Sequence, residues 1–272
     1  MSGRIGMALV ALMLLTATLG PLLGLPDPIR SDLRARLQPP TLSLSGPGAH
    51  PLGTDQLGRD ILARIVTGSQ VTLGVASSAV VLGGVVGVLL GLLAGYFGGW
   101  TDRLLMRLVD IQLAIPLMLL ALIVVAALGP SIHNLVIVLA LTSWVRYARI
   151  VRGSVLAIRE REFVQSALAI GAGAGRILLL HILPNVLTPA LVVASLELSR
   201  VIVLEAGLSF LGLGIQPPSP SWGRMLADGR TYISSAWWII TLPGVALMLC
   251  VLGVNLTGDW LRDRFDPRMS GR

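Results

Sequence analysis

Along the 272 residues, apolar runs alternate with polar breaks. The runs have the length of about 20 residues that a helix needs to cross about 30 Å of hydrocarbon. Six are marked out: Ile5 to Leu25, Val71 to Tyr96, Leu108 to Leu128, Leu135 to Val151, Val186 to Leu204 and Trp237 to Leu256. They predict an all-α, polytopic membrane protein with six transmembrane helices, because lipid offers no partner to an unpaired peptide group. The first run follows Arg4, as a signal sequence would, but it exceeds a normal signal core and no A-x-A site follows, which favours a retained anchor.

The connection Pro26 to Gln70 has two parts. Its start, LPDPIRSDLRARLQPPTLSLSGPGAHP, is rich in turn residues and argues against one continuous helix. Its end, GTDQLGRDILARIVTGSQ, predicts an interfacial helix capped by Thr54 or Asp55. Leu57, Ile61, Ile65 and Val66 would share its apolar face, and Asp60 would pair with Arg64 four residues on.

Within the runs, small residues recur every four positions at Ala79, Gly83, Gly87, Gly91 and Gly95. Such a stripe lets another helix backbone approach closely. Pro116 interrupts the third run and predicts a kink, with Asp110 as an interfacial charge nearby. Glu197, Arg200 and Glu205 lie in or at the end of the fifth run, where charge is costly unless it faces a partner or water. They mark either a substrate pathway or gate, or an internal ion pair with a snorkelling end.

Composition sharpens this picture. With 54% hydrophobic and 13% charged residues, the chain is too apolar for a water-soluble domain of its length. All 21 basic residues are arginine. Without lysine, the chain has neither a P-loop nor a Schiff-base amine. The arginines act as topology signals rather than as a nucleic-acid surface. Arg103 and Arg107, then Arg146, Arg149, Arg152, Arg159, Arg161 and Arg176, then Arg262, Arg264, Arg268 and Arg272 all fall on one side if the runs alternate. The opposite connection, Gly129 to Asn134, carries none, which places both termini in the cytoplasm.

Cys250 lies in the last run and is expected to pack there. His50, His133 and His181 stand in separate segments without ligand spacing, so no metal site is expected. GLSFLG, around Ser209, lacks both the G-x-S-x-G pattern and a following histidine, which argues against an intramembrane protease. A gradient-driven transporter would need an inverted repeat, and none is evident.

The segment EFVQSALAIGAGAGRILLLHILPN, Glu162 to Asn185, separates two apolar runs by more than an ordinary helix connection requires. Phe163, Ala167 and Ile170 share one helical face, Ser166 and Gly171 permit close approach, and Arg159, Glu160, Arg161 and Glu162 charge the entry. The segment resembles the EAA loop of ATP-binding-cassette importer permeases: Gln165, Ser166, Ala167 and Gly171, then Leu183 and Pro184, fall on its positions. Gln165 replaces the pattern's Glu and removes one negative charge, and Ser166 replaces its first Ala. LGTDQLGRDILARIVTGSQVTL, LEAGLSFLGLGIQPPSPSWGRML and LPGVALMLCVLGVNLTGDWLRDRFDPR extend the match. Together they look like the dipeptide, oligopeptide and nickel permease family, in its second, C-type subunit.

The resemblance implies a type I importer permease fold with a first unit over 1–70, a core permease domain over 71–272, and a coupling loop at about 152–185. Its coupling residues would be Glu162, Phe163, Gln165, Ser166, Ala167, Ile170, Gly171, Arg176 and Pro184. It implies a non-catalytic subunit in a bacterial or archaeal cell membrane that binds no cofactor itself. A second permease, two ATPases holding ATP and Mg, and an extracytoplasmic binding protein would complete the importer. Its substrate would be a dipeptide or oligopeptide, or else nickel or another small solute.

Overall fold

The computed structural model describes residues 2–41 and 50–265. Part of the expected turn-rich loop (42–49) and the arginines at 268 and 272 lie outside the described residues. Regular structure among the described residues is helical, apart from an isolated bridge between Thr54 and Asp60.

Helix α1 (Ser2–Leu19) closes in a tight turn at Gly20–Leu23, and its 18 residues reach only about 27 Å. Helix α2 (Ile61–Phe97) is far longer than the bilayer core, with 37 residues. The expected interfacial helix is the opening of α2 rather than a separate element. Its cap is Asp60, whose carboxylate accepts from the Ala63 N–H at 2.7 Å. Held at the cap, Asp60 does not pair with Arg64; its other oxygen meets His50 Nδ1 at 2.8 Å.

The third run is broken. Helix α3 (Gly99–Ala114) and helix α4 (Leu117–Leu128) meet at 89°. Pro116 removes an N–H and crowds the residue before it, so Ile115 is extended (φ −90°, ψ 118°) and the expected kink becomes a corner. Helix α5 (Ile132–Arg159) starts where the Ser131 hydroxyl accepts from the Asn134 N–H at 3.1 Å. It is followed by α6 (Glu162–Ala169), α7 (Ala174–Arg176) and a wider π-type stretch, Ile177–Ile182, that runs into α8 (Leu183–Phe210). A short helix, α9 (Trp222–Gly229), precedes α10 (Trp238–Phe265).

Four helical segments are long and apolar enough to cross a membrane: 61–97, 132–159, 174–210 and 238–264. The bent α3–α4 pair makes a fifth if it is counted as one broken span, and the apolar part of α1, Gly3–Leu19, is shorter than the others. Each of the six expected runs thus carries helix, but only four lie in single helical segments of spanning length.

At the centre, α2 and α5 run parallel, and α8 packs across both around Val75, Ala76, Ala79, Leu139, Val201 and Ile202. Cys250 is buried in the same core. Helix α1 lies antiparallel along α10: a Cβ on Gly6 would stand 2.7 Å from Leu256 Cβ, and one on Gly253 would stand 2.8 Å from Leu9 Cβ. Gln70 Nε2 donates to the Ala17 carbonyl at 2.6 Å, which ties the end of α1 to the beginning of α2. These pairings bring the start of α1 and the ends of α2, α5 and α10 to one end of the bundle, the end where the described arginines of the topology argument gather.

Candidate functional site

At that arginine-rich end the loop expected over 152–185 is mostly helical. Helix α5 runs on to Arg159, and only residues 160–161 and 170–173 lie outside helices. The connection is therefore shorter than the apolar runs alone suggest, because the flanking helices continue past those runs.

Glu162 stands in the first turn of α6, where a negative charge suits the helix dipole. Its far end is closed by a Schellman motif: Ala172 N–H donates to the Ala167 carbonyl at 3.0 Å and Gly171 N–H to the Leu168 carbonyl at 2.9 Å. Gly171 has φ +80°, and a Cβ there would meet nothing within 4 Å. Its backbone conformation, rather than close approach of a neighbour within the chain, is what calls for glycine.

The expected face of α6 divides. Val164 and Ala167 are buried against Val151 and Val155 of α5 and against Ile177, Ile182 and Val186. Phe163 and Ile170 are left 45% and 86% exposed, and Ser166, Arg176 and Pro184 are exposed as well. Ala167 thus belongs to the anchoring face and not with Phe163 and Ile170; the neighbouring helices of the same chain claim that side. A cleft of about 870 Å³ opens beside α6, lined by Ile158, Glu160, Arg161, Glu162, Phe163 and Asn185. The Gln165 amide donates to the Arg159 carbonyl at 2.9 Å, and Arg159 itself reaches the Gly95 carbonyl at 3.3 Å. Helix α6 is thereby joined to the ends of both central helices.

The glycine stripe of α2 lies against α5 of the same chain. A Cβ on Gly83 would be 2.7 Å from the Ala140 carbonyl, one on Gly91 2.8 Å from the Ala148 carbonyl, and one on Gly95 2.7 Å from Val155 Cβ; one on Gly87 would collide with the Trp144 carbonyl.

Of the three charges in α8, two come together. Glu197, only 2% exposed, meets Arg200 Nη1 at 2.9 Å and Arg146 Nε at 3.1 Å. Arg146, assigned above to topology alone, is thus a second partner. Glu205 stands apart and is fully buried: one oxygen accepts from the Ser209 hydroxyl at 2.7 Å, and that hydroxyl accepts in turn from the Ile215 N–H at 3.0 Å. Asp110 meets Arg149 at 2.6 Å. Among the described residues no cluster of three or more His, Cys, Asp or Glu side chains forms a metal site.

A buried charge network at the opposite end was not foreseen. Asp55 meets Arg59 at 2.6 Å and Arg64 at 3.4 Å, while Asp228 of α9 lies 3.1 Å from Arg224 and 3.6 Å from Arg64. Trp238 Nε1 donates to the Thr54 carbonyl at 3.0 Å and Trp222 Nε1 to the Ile65 carbonyl at 3.0 Å. The sequence signal for it is that Asp27, Asp32, Asp55 and Asp60 nearly match Arg30, Arg34, Arg36, Arg59 and Arg64 in the first loop, whereas the partner on α9 has none.

Residues 87–271 match the family described as the binding-protein-dependent transport system inner membrane component. The chain is 42% identical over 264 residues to the di/tripeptide transport system permease protein DppC of Pseudomonas aeruginosa, covering 97% of this chain and 87% of that one. It is 44% identical to the dipeptide permease DppC of Alkalihalophilus pseudofirmus, with 97% and 86% covered. To the glutathione permease GsiD of Pectobacterium atrosepticum it is 43% identical, with 81% and 73% covered. Among solved structures it is similar to the inward-facing MetNI methionine ABC transporter, with a TM-score of 0.59 at 20% identity, covering 73% of this chain and 95% of that one. An amino acid ABC transporter gives 0.58 at 16% identity, with 74% and 94% covered.

Proposed function

The chain belongs to the inner membrane components of binding-protein-dependent transport systems, and from that premise we propose that it forms half of the membrane pathway of an ATP-driven importer of short peptides. It is a multi-pass inner membrane protein with the type I permease fold. A second permease of the same fold supplies the other half, two ATPase subunits hold ATP and Mg and drive the pair, and an extracytoplasmic binding protein delivers the peptide. This chain does no chemistry; it changes packing as the ATPases close and open. Its first unit, 1–70, anchors the core permease domain, 71–272, and both termini face the cytoplasm.

One observation carries this reading: α6 projects Phe163 and Ile170 from the arginine-rich end while Val164 and Ala167 clamp it to α5 and α8. A short helix that is apolar outward and rigidly rooted inward is suited to lie in a groove of another subunit and transmit its motion. The named relatives support the substrate class, since dipeptides, tripeptides and glutathione are all short peptides. The test is Ile170→Asp combined with Phe163→Ala in the complete importer in proteoliposomes. Peptide uptake and peptide-stimulated ATP hydrolysis should both collapse while the ATPases dissociate more readily. Undiminished uptake and stimulation would sink the lever reading.

A further inference from the structure

Beside α3, away from the α6 lever, an open cleft of about 640 Å³ lies between α3 and α5 near the arginine-rich end. Four arginines line it, Arg103 and Arg107 from α3 and Arg149 and Arg152 from α5, against two carboxylates, Asp102 and Asp110. The surplus is two positive charges. The carboxylates are already committed: Asp102 binds Arg152 through two contacts, one at 2.6 Å, and Asp110 binds Arg149 at 2.6 Å. Those pairs, with Val109 buried against Trp144, Val145 and Ala148, fix α3 to α5.

Arg103 and Arg107 remain. Both are exposed; Arg103 donates only to its own helix, at the Gly99 carbonyl 3.3 Å away, and Arg107 makes no ion pair among the described residues. They are four positions apart and so project from one face. The adjacent face of α3 carries Leu104, Leu108 and Ile111, all exposed, in a strip that runs from the arginines towards the corner at Pro116. A cation pair at the head of an apolar strip is complementary to one kind of molecule, with an anionic phosphate at one end and a hydrocarbon chain at the other.

We propose that the α3–α5 cleft is a binding site for an anionic phospholipid, whose phosphate is held by Arg103 and Arg107 and whose acyl chain lies along Leu104, Leu108 and Ile111. Guanidinium forks match phosphate oxygens, and because Arg149 and Arg152 are neutralised by their carboxylates, Arg103 and Arg107 are the charges left for the phosphate.

The test uses the complete importer in nanodiscs of phosphatidylcholine with a minor share of phosphatidylglycerol, and a diazirine amino acid placed at position 108. After illumination, lipid adducts are identified by mass spectrometry. Phosphatidylglycerol should be enriched among them well above its share of the bilayer. Arg103→Gln and Arg107→Gln should each cut that enrichment by about fivefold, as expected for loss of one basic residue near a membrane surface. The double Arg→Lys variant should keep most of it. Adducts that mirror the bilayer composition, adducts on the second permease instead of lipid, or loss of the enrichment on adding inorganic phosphate would each overturn the proposal. Should the Gln variants fail to assemble, the unmodified arginines with the probe still decide between enrichment and its absence. Transport does not enter this readout, so its result is independent of the lever reading.

Discussion

The side-chain amide of Gln165 donates to the backbone carbonyl of Arg159, 2.9 Å away, across the turn that joins α5 to α6. An ionised glutamate at this position has no hydrogen to give, so the departure from the usual Glu has a local use.

Gln165→Glu therefore removes that bond and sets a carboxylate against the carbonyl end of α5. The expected loss is about 1 kcal/mol of α6 docking, the ordinary net value of one hydrogen bond. Hydrogen exchange on the assembled importer checks it: α6 amides should exchange faster in Gln165→Glu, and Gln165→Ala should behave alike.

Gly87→Ala drives a methyl into the Trp144 carbonyl, and the two central helices must part. A cost of about 1–3 kcal/mol is expected for such overpacking. Gly84→Ala is the control, since its Cβ would lie 3.4 Å from the Tyr147 ring in ordinary contact. Thermal unfolding of the assembled complex should show a lower midpoint for the first and no loss for the second.

Asp55→Ala leaves Arg59 and Arg64 buried with only the more distant Asp228 for company. Breaking a buried ionic network from one side costs about 3–5 kcal/mol. The variant should assemble poorly or melt well below the parent, whereas Arg30→Ala, at an exposed site, should change stability by no more than about 0.5 kcal/mol.

Glu205 has no basic side chain within ion-pair distance among the described residues, and its visible work is to accept from Ser209. Glu205→Gln supplies the same acceptor, so assembly and peptide uptake should survive. Glu205→Ala should lower stability by about 1–3 kcal/mol, because Ser209 loses its buried partner. Equal damage from both variants would mean that charge, not hydrogen bonding, is what the site needs.

The parts of this fold that were legible in the sequence are those written in local periodicity. The stripe from Ala79 to Gly95 announces a close helix contact because steps of four residues stay on one face. It does not say which helix comes close, and only the packing of α5 supplies Ala140, Trp144 and Ala148. Helical spacing likewise put Phe163, Ala167 and Ile170 on a common side. A helix of two turns with apolar residues around much of its circumference does not reveal how its own neighbours divide that side. Asp60 and Arg64 have the spacing of an ion pair, yet a residue at the cap spends its carboxylate on the first turn. The link from Arg64 to Asp228 joins distant parts of the chain and has no local trace.

The pairing of α1 with α10, through Gly3, Gly6 and Gly253, bears on the order of assembly. Helices emerge from the ribosome in sequence. The partner surface for α1 is made only after the intervening helices have been synthesised, so Gly3 and Gly6 stay uncovered while the far end of α1 is already held to α2 by the Gln70 bond to Ala17 and by Met13. Arrival of α10 then closes the bundle. A chain that ends before Gly253 would leave Gly3 and Gly6 of α1 without their seat, so the first helix of the sequence is completed by the last.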